Sequence, residues 1–175
     1  MWTRFIFLCL FHFIPANIWA QGAPPLLDNA HPPIPKADRV IVKKEERILR
    51  LMQGDRVLFA FEIVLGGAPE GDKREEGDWR TPEGRYIIDW RNPHSRFYKS
   101  LHISYPSPID RQESSARGVD PGGMIMIHGY PSEAETNPGK YDGQDWTNGC
   151  IAIKNEDMDI LWSVVDDGTP IEIHP

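Results

Sequence analysis

Cysteine is almost missing from this chain. Only Cys9 and Cys150 are present among 175 residues, and Cys9 sits in an apolar run that reads as a removable leader. With Cys9 gone, no disulfide can form within the mature chain. Basic runs are missing too. Lys+Arg number 19 against 26 Asp+Glu, for a formal net charge of −7, which argues against nucleic acid or anionic lipid as a partner. Beyond the leader no apolar stretch approaches the ~20 residues that a spanning helix needs. There are no internal repeats and no phosphate-cradling glycine motif. His31, His94 and His174 share no metal-ligand spacing with a cysteine or an acid cluster. The acids Asp72, Glu75, Glu76 and Asp78 show no calcium-loop pattern and read as a solvated loop. Neither a metal nor an organic cofactor is expected.

What is present begins with residues 1–20. Arg4 supplies a minimal positive region, Phe5 to Ile14 is apolar apart from His12, and Ile18-Trp19-Ala20 ends on a small residue suited to cleavage. This reads as a signal peptide; an uncleaved N-terminal anchor is the weaker alternative. No lipobox precedes Cys9. Arg4 is the only charged residue removed, so cleavage takes the net charge from −7 to −8. Export places the rest in the periplasm or cell envelope. Proline then concentrates between Gln21 and Ala37 (Pro24, Pro25, Pro32, Pro33, Pro35), which predicts a linker over residues 21–38. Residues 39–175 suit one domain with a sizeable core.

Strand signals dominate that domain. Val40-Ile41-Val42, Arg47 to Leu51 and Val57 to Leu65 predict consecutive antiparallel strands around a Gly54-Asp55 turn. Further strands are expected at Arg85–Asp89, Ser100–Ser104, Met124–His128, Cys150–Ile153 and Ile171–Ile173. Ser107 as N-cap, Pro108 behind it and Gly118 past the end predict a short helix. A second helix carries Met158, Leu161, Trp162 and Val165 at helical spacing, with Glu156 and Asp157 in its first turn and Gly168 as its stop. The fold class is mainly β: an antiparallel sheet with one or two short helices and two long loops flanking Cys150. The irregular stretch Arg91–Gly123 is long enough to suggest a lid or binding surface.

An odd cysteine in an exported chain is an intermolecular link, a free reactive thiol, or a small buried hydrophobe. The neighbours favour reactivity. Gly149 lets the backbone turn tightly, and Thr147 and Asn148 are polar where an inert core thiol would want apolar company. His128 ends an apolar strand beside Gly129. A thiol and an imidazole make a nucleophile and its base, with backbone N–H groups near Gly149 and Cys150 as an oxyanion hole. From spacing alone a satisfied core histidine is the default reading of His128. Trp146 and Trp79 flank glycine-rich loops and suit either stacking or packing. Arg80, His102 and Tyr130 are further cleft candidates, with an ordinary sheet position favoured for His102.

Ile127-His128-Gly129 followed by Thr147-Asn148-Gly149-Cys150-Ile151 and Asn155 resembles the L,D-transpeptidase catalytic domain, the YkuD family. That family's motif is His-Gly at a strand end, a loop, then Ser/Thr-x-Gly-Cys, a hydrophobic residue, and Asn shortly after. Thr81-Pro82-Glu83-Gly84-Arg85-Tyr86 resembles its Thr-Pro-x-Gly-x-aromatic element. The resemblance implies Cys150 as nucleophile, His128 as its base and the Gly129 carbonyl orienting the ring. It also implies Thr147 and Gly149 shaping the nucleophile turn, and Asn155 capping the next helix. Tyr130, Trp146 and Arg80 become the candidate substrate contacts. The implied partner is the peptidoglycan stem peptide, with another stem or an envelope protein as acyl acceptor. Three features depart from the family. Asn148 stands where His is common, Ala152 stands where Arg is common, and the loop from His128 to Thr147 is slightly long. Two other outcomes stay open: water as acceptor, giving a carboxypeptidase or amidase, and a catalytically silent peptidoglycan-binding domain.

Overall fold

The computed structural model describes residues 34–175 apart from Thr136. The expected signal peptide and most of the proline-rich segment lie outside the described residues. The chain is already packed at the last part of that segment: Ala37 is buried and its N–H donates to the Val164 carbonyl at 2.8 Å.

Alternation builds the first layer. In β1 (Arg39–Lys43) and β2 (Ile48–Gln53), Val40, Val42, Leu49 and Leu51 fall on one face and are fully buried, as a period-two pattern requires. β3 (Arg56–Glu62) extends this antiparallel meander. β4 (Gly84–Ser95) and β5 (Tyr98–Ile103) form a hairpin whose tip is Arg96-Phe97. β6 (Met126–His128), β7 (Ile151–Ala152) and β8 (Pro170–His174) complete an eight-stranded sheet in the order β3-β2-β1-β8-β4-β5-β6-β7.

The sheet is mixed, which corrects the expectation of an antiparallel one. β1 pairs with β8 in parallel, and β6 with β7 in parallel. Parallel neighbours need a long crossover rather than a tight turn. The segment from Gly129 to Cys150 is that crossover for β6 and β7, so the second long loop is a topological requirement as well as a cleft wall. β4 is longer than the expected strand. It runs on through Asn92 to Ser95 with register shifts that twist the hairpin tip out of the plain ladder.

Helix α1 (Pro108–Arg117) follows its sequence signals closely. Ser107 Oγ accepts from the Asp110 N–H, the Asp110 carboxylate accepts from the Ser107 N–H, and Gly118 ends the helix at φ 72°. Helix α2 (Asn155–Val164) drives Met158, Leu161 and Val164 into the core. Each such side chain contributes on the order of 1.5–3 kcal/mol by leaving water. Its details differ from expectation. Lys154 holds the N-cap position without a side-chain bond, and the helix ends at Val165, three residues before Gly168. Trp162 is half-buried, with the Arg91 guanidinium 4.9 Å above its ring. None of the described helices is long and apolar enough to cross a membrane.

Candidate functional site

The parallel register of β6 and β7 brings the side chains of His128 and Cys150 to one face. Ile127 lies opposite Ile151, and His128 opposite Ala152. Ile127 and Ile151 are fully buried on the core side. Alternation therefore turns His128 to the other face. Two positions before Ala152, Cys150 falls on that same face. Both residues line one cleft of about 620 Å³, with Arg96, Phe97, Pro131, Glu133, Lys140, Tyr141, Trp146, Thr147 and Asn148 around them.

The imidazole is held on three sides. Its Nδ1–H donates to the Gly129 carbonyl at 2.7 Å, which fixes the tautomer and leaves Nε2 as a lone-pair acceptor. Phe97 stacks on it at 4.6 Å between centroids, and Trp146 tilts against it at 5.7 Å. The ring is only 3% exposed. Burial depresses its pKa from 6.5 to about 4; the bond to Gly129 opposes that shift, and the charge of Arg96 adds to it.

Asn155 does not cap α2 with its side chain. Its Oδ1 instead accepts the Tyr130 N–H at 2.8 Å, pinning the chain just beyond His128. Gly129 leaves room for this: a Cβ there would collide with Asn155 Oδ1 and lie 2.8 Å from the Tyr98 Cβ. Asn155 therefore positions the strand end that carries the imidazole.

The turn that presents Cys150 is tied from both ends. Thr147 Oγ1 donates to the Cys150 carbonyl at 2.7 Å and accepts the Gly149 N–H at 3.1 Å. Its backbone pairs with Leu65 and Gly67. The Gly149 N–H is thereby consumed and is not available to an oxyanion, contrary to expectation. Gly149 adopts φ +123°, where a Cβ would sit 2.7 Å from the Arg80 carbonyl oxygen. Gly149→Ala is therefore expected to cost more than about 2 kcal/mol and to shift Cys150. Thermal unfolding and adduct formation measured on the same variant check both effects.

The Thr-Pro-Glu-Gly element buttresses this turn from behind. Buried Lys44 donates to the Thr81 carbonyl at 2.9 Å and to Glu83 at 2.8 Å, while Thr81 Oγ1 faces the Gly66 N–H.

The Cys150 thiol donates weakly to the Met124 carbonyl at 3.7 Å. Desolvation pushes its pKa up, against smaller opposing effects of the Met126 backbone and Lys73. A raised thiol beside a depressed imidazole leaves both neutral at pH 7. The resting site holds no thiolate–imidazolium pair, so any attack by the thiol would require its proton to move at that step. Alkylation of Cys150 by iodoacetamide is accordingly expected to be slower than that of free cysteine at pH 7, and to rise only above the ordinary thiol range. A pH series of alkylation rates checks this.

The remaining candidates separate. Trp146 is in the cleft wall, meeting His128, Phe97, Tyr130 and Tyr141. Tyr130 lines a neighbouring cavity of about 410 Å³ with Arg47, Glu62, Asp145 and Lys154; it reaches the Cys150 cleft only through Tyr141 and Trp146. Burial pushes its phenol up to about 12. The Arg80 side chain turns away to the Asp72 carbonyl at 3.3 Å, and only its backbone abuts the Gly149–Cys150 turn. His102 pairs with Asp89 at 2.6 Å and stacks on Trp90, in a sheet position. Trp79 stands exposed on its loop. Arg96, Phe97, Tyr141 and Asp145 carried no local sequence signal, since loop tips acquire a role only through what they approach. Asp145 ties Arg47 to the Leu65 N–H. Among the described residues no three His, Cys, Asp or Glu side chains gather as a metal site.

The sequence profile of YkuD, described as the L,D-transpeptidase catalytic domain, matches residues 37–173. The chain belongs to the YkuD family. Family members act on peptidoglycan. YafK of Escherichia coli (strain K12), named as a candidate L,D-transpeptidase, is 32% identical over 129 residues, covering 70% of this chain and 44% of YafK. YqjB of Bacillus subtilis (strain 168), named in the same way, is 27% identical over 174 residues, covering 95% of this chain and 84% of YqjB. The helical cell shape determining protein Pgp2 of Campylobacter jejuni superposes with a TM-score of 0.62 at 27% identity, covering 80% of this chain and 48% of Pgp2. The chain thus spans about half the length of YafK and of Pgp2. The L,D-transpeptidase from Mycobacterium smegmatis shares the fold at 12% identity, with a TM-score of 0.53 over 79% of this chain and 59% of its own.

Proposed function

We propose that this YkuD domain is an exported L,D-transpeptidase that forms a thioester on Cys150 from peptidoglycan stem peptides. The observation that carries the reading is the placement of Cys150 and His128 on one face of a parallel strand pair, in one cleft, with Nδ1 committed to Gly129. Residues 1–20 serve as the signal peptide and the proline-rich segment as a linker that ends where Ala37 packs into the domain.

The chemistry follows from that tautomer. The Cys150 sulfur attacks the carbonyl between the third-position diamino acid and D-Ala. His128 Nε2 takes the thiol proton as the S–C bond forms. The tetrahedral oxygen is met by the Cys150 N–H and the Asn148 carboxamide, because the Gly149 N–H is engaged elsewhere. Asn148 can donate a hydrogen bond but cannot carry a proton. As the C–N bond breaks, His128 returns the proton to the leaving amine of D-Ala. An amine of a second stem or of an envelope protein then attacks the thioester, giving up its proton to His128 as the thiol is regenerated. Phe97, Tyr141 and Trp146 make an apolar wall around the imidazole that disfavours water at this stage. Neither step requires a cofactor.

The test is to incubate the purified protein with disaccharide tetrapeptide and follow intact mass and free D-Ala, with and without an added amine. An acyl adduct on Cys150, D-Ala release and an amine-dependent cross-linked product support the reading. Adduct and D-Ala with only hydrolysed product would make the protein an L,D-carboxypeptidase or amidase. Neither adduct nor D-Ala would make it a silent binding domain.

A further inference from the structure

The cleft contains a cation that the acyl-transfer chemistry leaves unused. Arg96 sits at the tip of the β4–β5 hairpin, lines the cleft with Cys150 and His128, and lies 4.8 Å over the Phe97 ring, the same ring that stacks on His128. The stack orders the guanidinium plane without neutralising it. No described carboxylate pairs with Arg96, whereas Lys140, the other cation of the cleft, is held against Glu133 and above the Tyr141 ring. Glu133 also accepts the Tyr141 hydroxyl. The acid and the second base of the cleft are thus engaged with one another, and Arg96 is left facing the substrate space.

Ala152 strengthens this reading. It lies opposite His128 in the strand register and is 0% exposed, so this strand brings no charge to the pair. The cleft's cation arrives instead from the hairpin tip. We propose that Arg96 receives the C-terminal carboxylate of the acyl donor, so that the enzyme selects peptides ending in a free D-amino acid. This rests on the acyl-transfer reading of the cleft. A planar guanidinium matches a carboxylate in bidentate fashion, and the carboxylate of D-Ala stays with the leaving group, so the same contact orients the amine that His128 protonates.

The experiment compares three donors: the tetrapeptide with a free C-terminus, its C-terminal amide, and the free acid with only the D-Glu carboxylate amidated. Rates of Cys150 adduct formation are measured for wild type, Arg96→Gln and Arg96→Lys. The expected result is a preference of about tenfold or more for either free acid over the C-terminal amide in wild type. Arg96→Gln should erase it by slowing the acids about tenfold more than the amide, whatever common change the altered His128 environment brings to all three donors, and Arg96→Lys should restore part of it. Equal rates for acid and amide in wild type would overturn the proposal. So would an equal loss on acids and amide in Arg96→Gln, or a wild-type rate lost on amidating the D-Glu carboxylate instead of the C-terminus.

The same donors are titrated calorimetrically into Cys150→Ala protein with and without Arg96→Gln. A preference for the free C-terminus that vanishes with Arg96 supports the proposal even if no donor acylates the wild type, a result that would sink only the transpeptidase reading. Equal affinities for acid and amide overturn the Arg96 assignment whatever the chemistry does.

Discussion

Cys150→Ala is expected to abolish both the acyl adduct and D-Ala release, lowering turnover by at least about 10⁴-fold, while unfolding within about 1 kcal/mol of the wild type. The asymmetry follows from where the thiol sits. Sγ makes only weak backbone contacts, a long one to the Met124 carbonyl and one at Met126, so its loss removes little bonding. The turn that presents it is held by other groups: Thr147 Oγ1 grips the Cys150 carbonyl, and the Leu65, Gly67 and Ile153 backbone ladders are independent of the side chain. Cys150→Ser is expected to be almost as inactive. Its hydroxyl is a far weaker acid than a thiol, and a neutral, depressed imidazole is a poor partner for deprotonating it. Intact mass after incubation with tetrapeptide, beside a denaturant titration of each variant, reads both halves. Substantial D-Ala release by Cys150→Ala would show that another group attacks the peptide.

The fold was most legible where physics acts locally. Ser107, Pro108, Asp110 and Gly118 form a complete set of helix-end signals within a dozen positions, and α1 has those ends. The alternation of Val40, Val42, Leu49 and Leu51 determines the inward face of the first strands with no knowledge of the rest. The mixed sheet was not legible in that way, because strand direction depends on how a long connection crosses back. Nothing within Met126–His128 or Ile151–Ala152 specifies that the two run parallel. The resemblance to the YkuD motif made the family and the His128–Cys150 pair readable despite this.

The rest of the site is a matter of encounter. Arg96 and Phe97 belong to a hairpin tip about thirty positions upstream of His128, and they matter because the twisted end of β4 lays Phe97 on the imidazole and Arg96 over Phe97. Arg80 shows the converse. Its position in the sequence, beside the Thr-Pro element, is close to the Cys150 turn in space, but its side chain points to Asp72 and only its carbonyl meets Gly149. Asn155 was expected at a helix cap and instead holds the Tyr130 N–H. An asparagine satisfies whichever backbone donor comes within reach, and here the strand end beyond Gly129 was nearer than its own helix.

His128→Gln is expected to slow acylation by about 10²–10⁴-fold and, as a separate effect, to flatten the dependence of stability on acid. The folded pKa of His128 is about 4, below its ordinary 6.5. Between those values the unfolded chain binds a proton that the folded protein does not. Stability contributed by burying the neutral ring is therefore fully present above pH 6.5, is lost as pH falls towards 4, and falls no further below that. The shift corresponds to about 3 kcal/mol. Denaturant titrations at pH 7 and pH 4 should show that loss in wild type in excess of the loss in His128→Gln, the difference isolating this residue from the carboxylates that titrate in the same range. Activity gives the matching signature. Nε2 remains a base well below the usual imidazole range, so the acid limb of kcat/KM is expected near pH 4 rather than 6.5. An acid limb at 6.5 would mean that the ring is solvated in solution and that Phe97 and Trp146 do not enclose it.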